Sequence, residues 1–221
     1  MSWLWLLLAP SLAWGQPART AGGVVRSDEW RVMRNPEKQE EFIGNVRYRS
    51  GASVMNGDWA LYKHLPQTWQ VKGNVKISHK LESGETLDAL GDQGFMEQRT
   101  RAGWLRADDR VVLKRTPVEG QPDHARAKQA EWQGREVSVL TGLVHLWGPR
   151  LEAWADRAQY TQATSALLLT GGRPVVRKFP GWDAKDEFSG AVKGDEVRAW
   201  RAEKKMSADG NVSGWLEFKK D

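Results

Sequence analysis

At 221 residues, 28% charged and 40% hydrophobic, the chain is long enough to bury the core of one large or two small domains. Its negative mean hydropathy argues against a protein embedded in a membrane along its length. The absence of cysteine excludes disulfides, thiol chemistry and cysteine metal sites. A formal charge of +5 is compatible with phosphate-bearing partners, but it is spread along the chain and singles none out.

Residues 1–15, from Met1 to Gly15, carry no charged side chain and hold a short apolar run. Ala13 and Gly15 are small residues at the −3 and −1 positions of a cut before Gln16, the pattern of a secretory signal peptide. No Lys or Arg precedes the run, so an uncleaved anchor is the alternative. Residues 16–23 form a polar, Gly-rich leader. From Val24 to Asp221 one unit recurs, forming a single domain.

The clearest copy is Trp69 to Ile77, where Val71, Gly73, Val75 and Ile77 alternate with Lys72, Asn74 and Lys76. Successive strand side chains point to opposite faces, so this is a strand with one apolar and one basic face. The same Gly-Asn-Val wording appears at Gly44, with Phe42, Val46 and Tyr48 on one face. It appears again at Gly210, with Ala208, Val212, Gly214, Leu216 and Phe218. Looser copies surround Gly142 and Gly172, and a degenerate one, Leu105 to Leu113, has Asp109 in the glycine position, which implies a charged interior there. Each copy is preceded by a strand with an acidic residue and, four positions on, an aromatic one, as in Asp58 to Tyr62 and Asp156 to Tyr160. The repeat is roughly thirty to forty residues long, the length of a solenoid unit, and each unit reads as a β-hairpin. Mid-strand glycine marks a bend or a close approach of another backbone, so the array is expected to curve on one line. Segments 114–124 and 178–193 read as loop-like insertions.

These repeated Gly-Asn-Val strands, each after an Ala-Asp-x-x-x-Tyr-like strand, resemble the OstA-like repeat family of periplasmic lipopolysaccharide-transport proteins, the LptA family. The resemblance covers roughly Val24 to Phe218. It implies an all-β fold, a twisted β-jellyroll built from hairpin units and open at both ends. It also implies a periplasmic location, an apolar interior that shields the acyl chains of lipid A, and no cofactor. The implied partners are lipopolysaccharide and other jellyrolls of the system (LptC-like and LptD-like) joined by end-to-end strand addition, with a head-to-tail homo-oligomer as a further form. An LptC-like component associated with the inner membrane is the alternative within the family.

The candidate binding surface follows from the strand faces. Val46, Tyr48, Val71, Val75, Ile77, Val111, Leu113, Val144, Leu146, Val212, Leu216 and Phe218 are expected to point inward and to stack into one apolar trough. The alternative is a structural β-solenoid whose core is filled by its own side chains. Arg47, Arg49, Lys72, Lys76, Lys80, Arg106, Arg110 and Lys114 fall on the outer face, either to meet lipid phosphates or simply to solubilise it. No catalytic or metal constellation is expected. His64, His79, His124 and His145 are scattered, Asp108 and Asp109 point to opposite faces, and Gly171-Gly172-Arg173 does not open a helix. Nucleic acid is not expected either, because aromatic residues are not interleaved with the basic ones along the sequence. The last copy reaches almost to the C-terminus and leaves no room for a cap, so the end strands are expected to be docking edges.

Overall fold

The computed structural model describes residues 23–134, 136–179, 188–200, 203 and 205–218. The expected signal segment, most of the leader and residues 180–187 of the second insertion lie outside them. The described residues form strands and turns without a helix. The strands join in one antiparallel sheet that does not close into a barrel.

Two short strands, β1 (Val24–Arg26) and β2 (Glu29–Met33), lie along successive halves of the long β3 (Gln39–Ser50). A regular meander follows: β4 (Ser53–Lys63), β5 (Thr68–Lys80), β6 (Thr86–Glu97), β7 (Ala102–Thr116), β8 (Asp123–Gln133), β9 (Val137–Trp147) and β10 (Leu151–Thr161). Beyond β10 the sheet divides. One arm continues through β11 (Ala166–Thr170), β14 (Glu196–Trp200) and β15 (Lys205–Asp209), the other through β12 (Val175–Lys178), β13 (Phe188–Lys193) and β16 (Ser213–Phe218). The first insertion shortens to residues 117–122, because β7 and β8 extend into it. The last Gly-Asn-Val copy, expected as one strand, is broken at Gly210-Asn211 into β15 and β16.

The repeated glycines explain the division. Gly44, Gly73, Gly142 and Gly210 have φ of +74°, +74°, +80° and +67°, and the next residue is left-handed as well. The register shifts at this place in β3, β5 and β9. β3, β5 and β9 therefore bend there, the register shifts continue that line across their neighbours, and the strand halves on either side of it belong to two facing layers. Tyr48 from one layer meets Trp69 from the other with ring centroids 4.9 Å apart.

An aspartate earlier in the chain, Asp58 on β4 or Asp28 and Asp195 at the breaks between β1 and β2 and between β13 and β14, clamps the bend. Asn45, Asn74 and Asn211 each donate Nδ2 to Oδ2 of Asp28, Asp58 and Asp195 at 2.8 Å. A Cβ on Gly73 would stand 2.3 Å from Asp58 Oδ2, so the clamp needs glycine for space as well as for backbone angle. The middle units depart from this pattern. On β7, residues 107–110 bulge opposite Lys128 alone, and Asp92 Oδ2 accepts from the Asp108 backbone N–H at 2.7 Å. In the next unit Lys128 replaces the aspartate and Leu143 the asparagine. A polar cleft of about 490 Å³, lined by Asp92, Arg106, Asp108 and Lys128 among others, occupies this stretch of the bend. The Asp109 side chain is 94% exposed while Val111 is fully buried, which corrects the expectation of a charged interior at the degenerate copy. The bulge absorbs the extra residues on the outside and restores the inward parity.

The core lies between the layers. Odd strands contribute large inner residues such as Val75, Ile77, Leu105, Val111, Leu140 and Leu146. Even strands, which lie beside them in the same layer, contribute largely alanine, notably Ala60, Ala89, Ala125, Ala130, Ala153 and Ala158. Large against small is how two sheets interdigitate without strain.

Gly73→Ala is expected to cost about 1–2 kcal/mol for the left-handed backbone alone, and more through the displaced Asp58. Leu143→Asn, at an exposed left-handed position (φ +51°), is expected to stabilise by about 1 kcal/mol. Thermal unfolding of the two variants should shift in opposite directions, by roughly 2–4 °C per kcal/mol for a chain of this size.

Candidate functional site: an apolar interior open at both ends

The strand register assigns the faces. In one layer the inner rows run through Tyr48, Met55, Ile77, Ala89, Leu113, Ala125, Leu146, Ala153 and Val176, and through Val46, Val75, Val111, Val144 and Ala155 beside the bend. In the other they run through Phe42, Ala60, Val71, Leu105, Ala130, Leu140, Ala158 and Leu169. Of the twelve trough residues expected from sequence, Val46, Tyr48, Val71, Val75, Ile77, Val111, Leu113, Val144 and Leu146 lie buried in one cluster.

Val212, Leu216 and Phe218 do not lie in that cluster; they are 54%, 64% and 65% exposed. Leu216 and Phe218 share the register rows of Gly190 and Phe188, but among the described residues β16 pairs with β13 alone. Here alternation gives the face without the burial, because burial also needs a neighbour beyond. Met206 on β15 is exposed at the same end. At the opposite end Trp30, paired with Phe42, is 61% exposed, and Val32, paired with Glu40, is 41% exposed. The sandwich therefore presents inner-face apolar residues at both ends, beside strands paired on one side only. Trp30 and Val32 gain no inward role from the sequence, since two residues of alternation are too few to fix a face.

The two long rims of the interior differ. Along one run Tyr62, Trp69, Trp132 and Tyr160 at the turn-proximal strand ends, with Trp69 stacked on Tyr62 at 4.7 Å. Burial pushes the Tyr62 phenol above its ordinary range, with Tyr48 and Glu40 adding to it. Along the other rim lie Ser53, within 2.7 Å of His79 Nδ1, and buried Arg115, which donates to Glu85 and sits directly opposite Asp123.

All eight basic residues assigned to the outer face are exposed. Aromatic rings are nevertheless interleaved with cations there, which corrects the sequence argument on this point. Arg106 lies 4.4 Å over Trp104, Arg126 4.9 Å over Trp147, and Lys72 5.1 Å over Trp59. His124, Trp147, His145 and Trp154 form a cross-strand ladder, with centroids 5.0, 4.6 and 5.3 Å apart. His145 Nε2 lies 2.9 Å from Glu152 Oε1. The rings face one another and the guanidinium groups rather than an open groove. The residues are scattered in the sequence and meet only through the register of β8, β9 and β10; the alternation His145-x-Trp147 was the available signal. Among the described residues no three His, Asp or Glu side chains converge as metal ligands would.

No protein-family model matches this chain, and no curated protein matches it either.

Burial lowers the affinity of His124 for a proton, and Lys114 and Arg126 lower it further. The unfolded chain, with His124 near its ordinary 6.5, then binds the proton more readily than the fold. The contribution of His124 is intact above that value and lost as pH falls through the lower, folded one. His124→Gln is expected to lessen the drop in melting temperature between about pH 7.5 and about pH 5, measured by thermal unfolding.

Proposed function

We propose that this chain is a non-enzymatic, exported lipid-binding jellyroll. In this reading it carries lipopolysaccharide across the periplasm, with lipid A acyl chains in the apolar interior and neighbouring jellyrolls joined end to end. The observation that carries the reading is the openness of both ends, where apolar inner-face residues lie exposed beside strand edges paired on one side. A self-contained core would be capped there by polar units. The sequence resemblance supplies the lipid and the compartment. Burying hydrocarbon contributes about 0.8 kcal/mol per methylene, so several chains would bind firmly without any specific polar contact. No chemical step is part of this role, and transport would draw its energy from partner proteins.

A second reading has support of its own. The interior residues are nearly inaccessible and packed large against small, as in a structural β-solenoid filled by its own side chains. Lipid binding separates the two. Purified lipopolysaccharide is expected to bind the wild type, to be lost with Val75→Asp and to be largely kept with Lys76→Ala, whose side chain points outward. A folded wild type that binds no lipopolysaccharide would decide for the filled core.

The ends are tested by assembly. The wild type is expected to form concentration-dependent oligomers in analytical ultracentrifugation. Trp30→Asp and Leu216→Asp should each block one end and give monomers alone, while an equimolar mixture recovers dimers and nothing longer. That pattern belongs to a head-to-tail contact and not to a two-fold one. A wild type that stays monomeric at high concentration would exclude self-assembly.

A further inference from the structure

Two donors in the apolar interior have no acceptor. Nε1 of Trp69 and Nε1 of Trp132 are shut off from solvent, and neither has a hydrogen-bond partner in the protein. The residues themselves are 5% and 6% exposed. Both stand on the inner row of the aromatic rim, which passes through Tyr62, Trp69, Met96, Gly103 and Trp132 from β4 to β8. Buried polar atoms in folded proteins are nearly always paired, so two unpaired donors in one row need a reason.

Packing does not supply it. Trp69 is held by ring contacts with Phe42, Tyr48 and Tyr62, which a phenyl ring could also make. Trp132 covers Gly103 with its benzo edge; a Cβ added there would stand 2.7 Å from Trp132 Cζ2. Arg115 also keeps buried nitrogens without hydrogen bonds, but Glu85 and Asp123 supply its counter-charge. On the aromatic rim Glu40 acts on Tyr62, but neither indole nitrogen has a hydrogen-bond partner. An indole N–H can only donate. Its partner must therefore offer an acceptor and otherwise be apolar enough to lie among Phe42, Met96 and Leu105, as the carbonyl of a fatty-acyl ester or amide is.

We propose that Trp69 and Trp132 are ligand-binding residues whose indole N–H groups donate hydrogen bonds to the acyl carbonyl oxygens of a lipid held in the interior. This rests on the lipid-binding reading above. Three strand steps separate the two residues, roughly 14 Å, so they address different carbonyls. The arrangement suits a lipid with more than one acyl chain.

The test uses two probes that differ at the carbonyl, 1-lauroylglycerol and 1-O-dodecylglycerol, each below its aggregation concentration. The ester is expected to bind the wild type about two- to twelve-fold more tightly than the ether, the range for neutral hydrogen bonds. In ¹⁵N spectra two indole resonances, assigned through Trp69→Phe and Trp132→Phe, should move downfield with the ester and not with the ether. The double variant should bind both probes with the wild-type affinity for the ether. Equal affinities and unmoved indole resonances in the wild type would overturn the donor role and leave the lipid-binding reading standing. Failure of both probes to bind would overturn that reading and this inference together. Both wild-type outcomes are independent of how well the variants fold.

Discussion

Everything in this fold depends on one backbone constraint, the left-handed bend at mid-length of β3, β5 and β9, repeated between β11 and β12 and between β15 and β16. A flat meander of strands 11 to 15 residues long with one apolar face could not bury that face. Bending the sheet along one line turns the two halves of one face toward each other, and the chain becomes its own partner layer. The Gly-Asn pair supplies the backbone angle, and an aspartate earlier in the chain ties the asparagine amide in place in three separate copies. Each such bond is worth little by itself. Their common position holds the bends in line, and the inner rows of nine consecutive strands meet because of it.

The same constraint leaves the ends open. Among the described residues no element turns across either end of the repeated hairpins, so β2 at one end and β15 and β16 at the other keep apolar inner residues exposed. Exposed edges with apolar flanks favour pairing with another strand. The two ends carry different residues, Trp30 and Val32 at one, Met206, Leu216 and Phe218 at the other. Any contact between copies through them would be heterologous and able to propagate.

The repeat was legible in sequence because it rests on local rules. Alternation around Gly73 gave the strand and its faces, and a glycine in mid-strand marked the bend. The aspartate at Asp58 was visible as part of the motif, but its role was not, since the bond to Asn74 joins residues sixteen apart whose meeting depends on register. Register also hid the ladder of His124, Trp147, His145 and Trp154. The degenerate copy misled for a related reason. Aligning Asp109 with glycine assumes a bulge of fixed length, whereas β7 carries residues 107–110 opposite a single residue, and the longer bulge turns Asp109 outward. Leu216 and Phe218 show the limit of periodicity, which assigns a side but not a cover.

The indole nitrogens bear on which kind of interior this is. In a core filled only by its own side chains, phenylalanine would serve at 69 with nearly the same contacts and no desolvated N–H, while at 132 the benzo edge over Gly103 accounts for the indole's size but not for its nitrogen. Tryptophan there leaves a buried donor unsatisfied, at about 1–3 kcal/mol each, a large share of the stability a domain commands. Two such costs on one row, without the counter-charges that Glu85 and Asp123 bring to Arg115 on the opposite rim, oppose the logic of a closed core. They agree with an interior whose last hydrogen bonds are completed by a guest. The alanine-rich inner faces of the even strands point the same way. They let the layers come together when empty, and they place little bulk in the path of a chain lying between them.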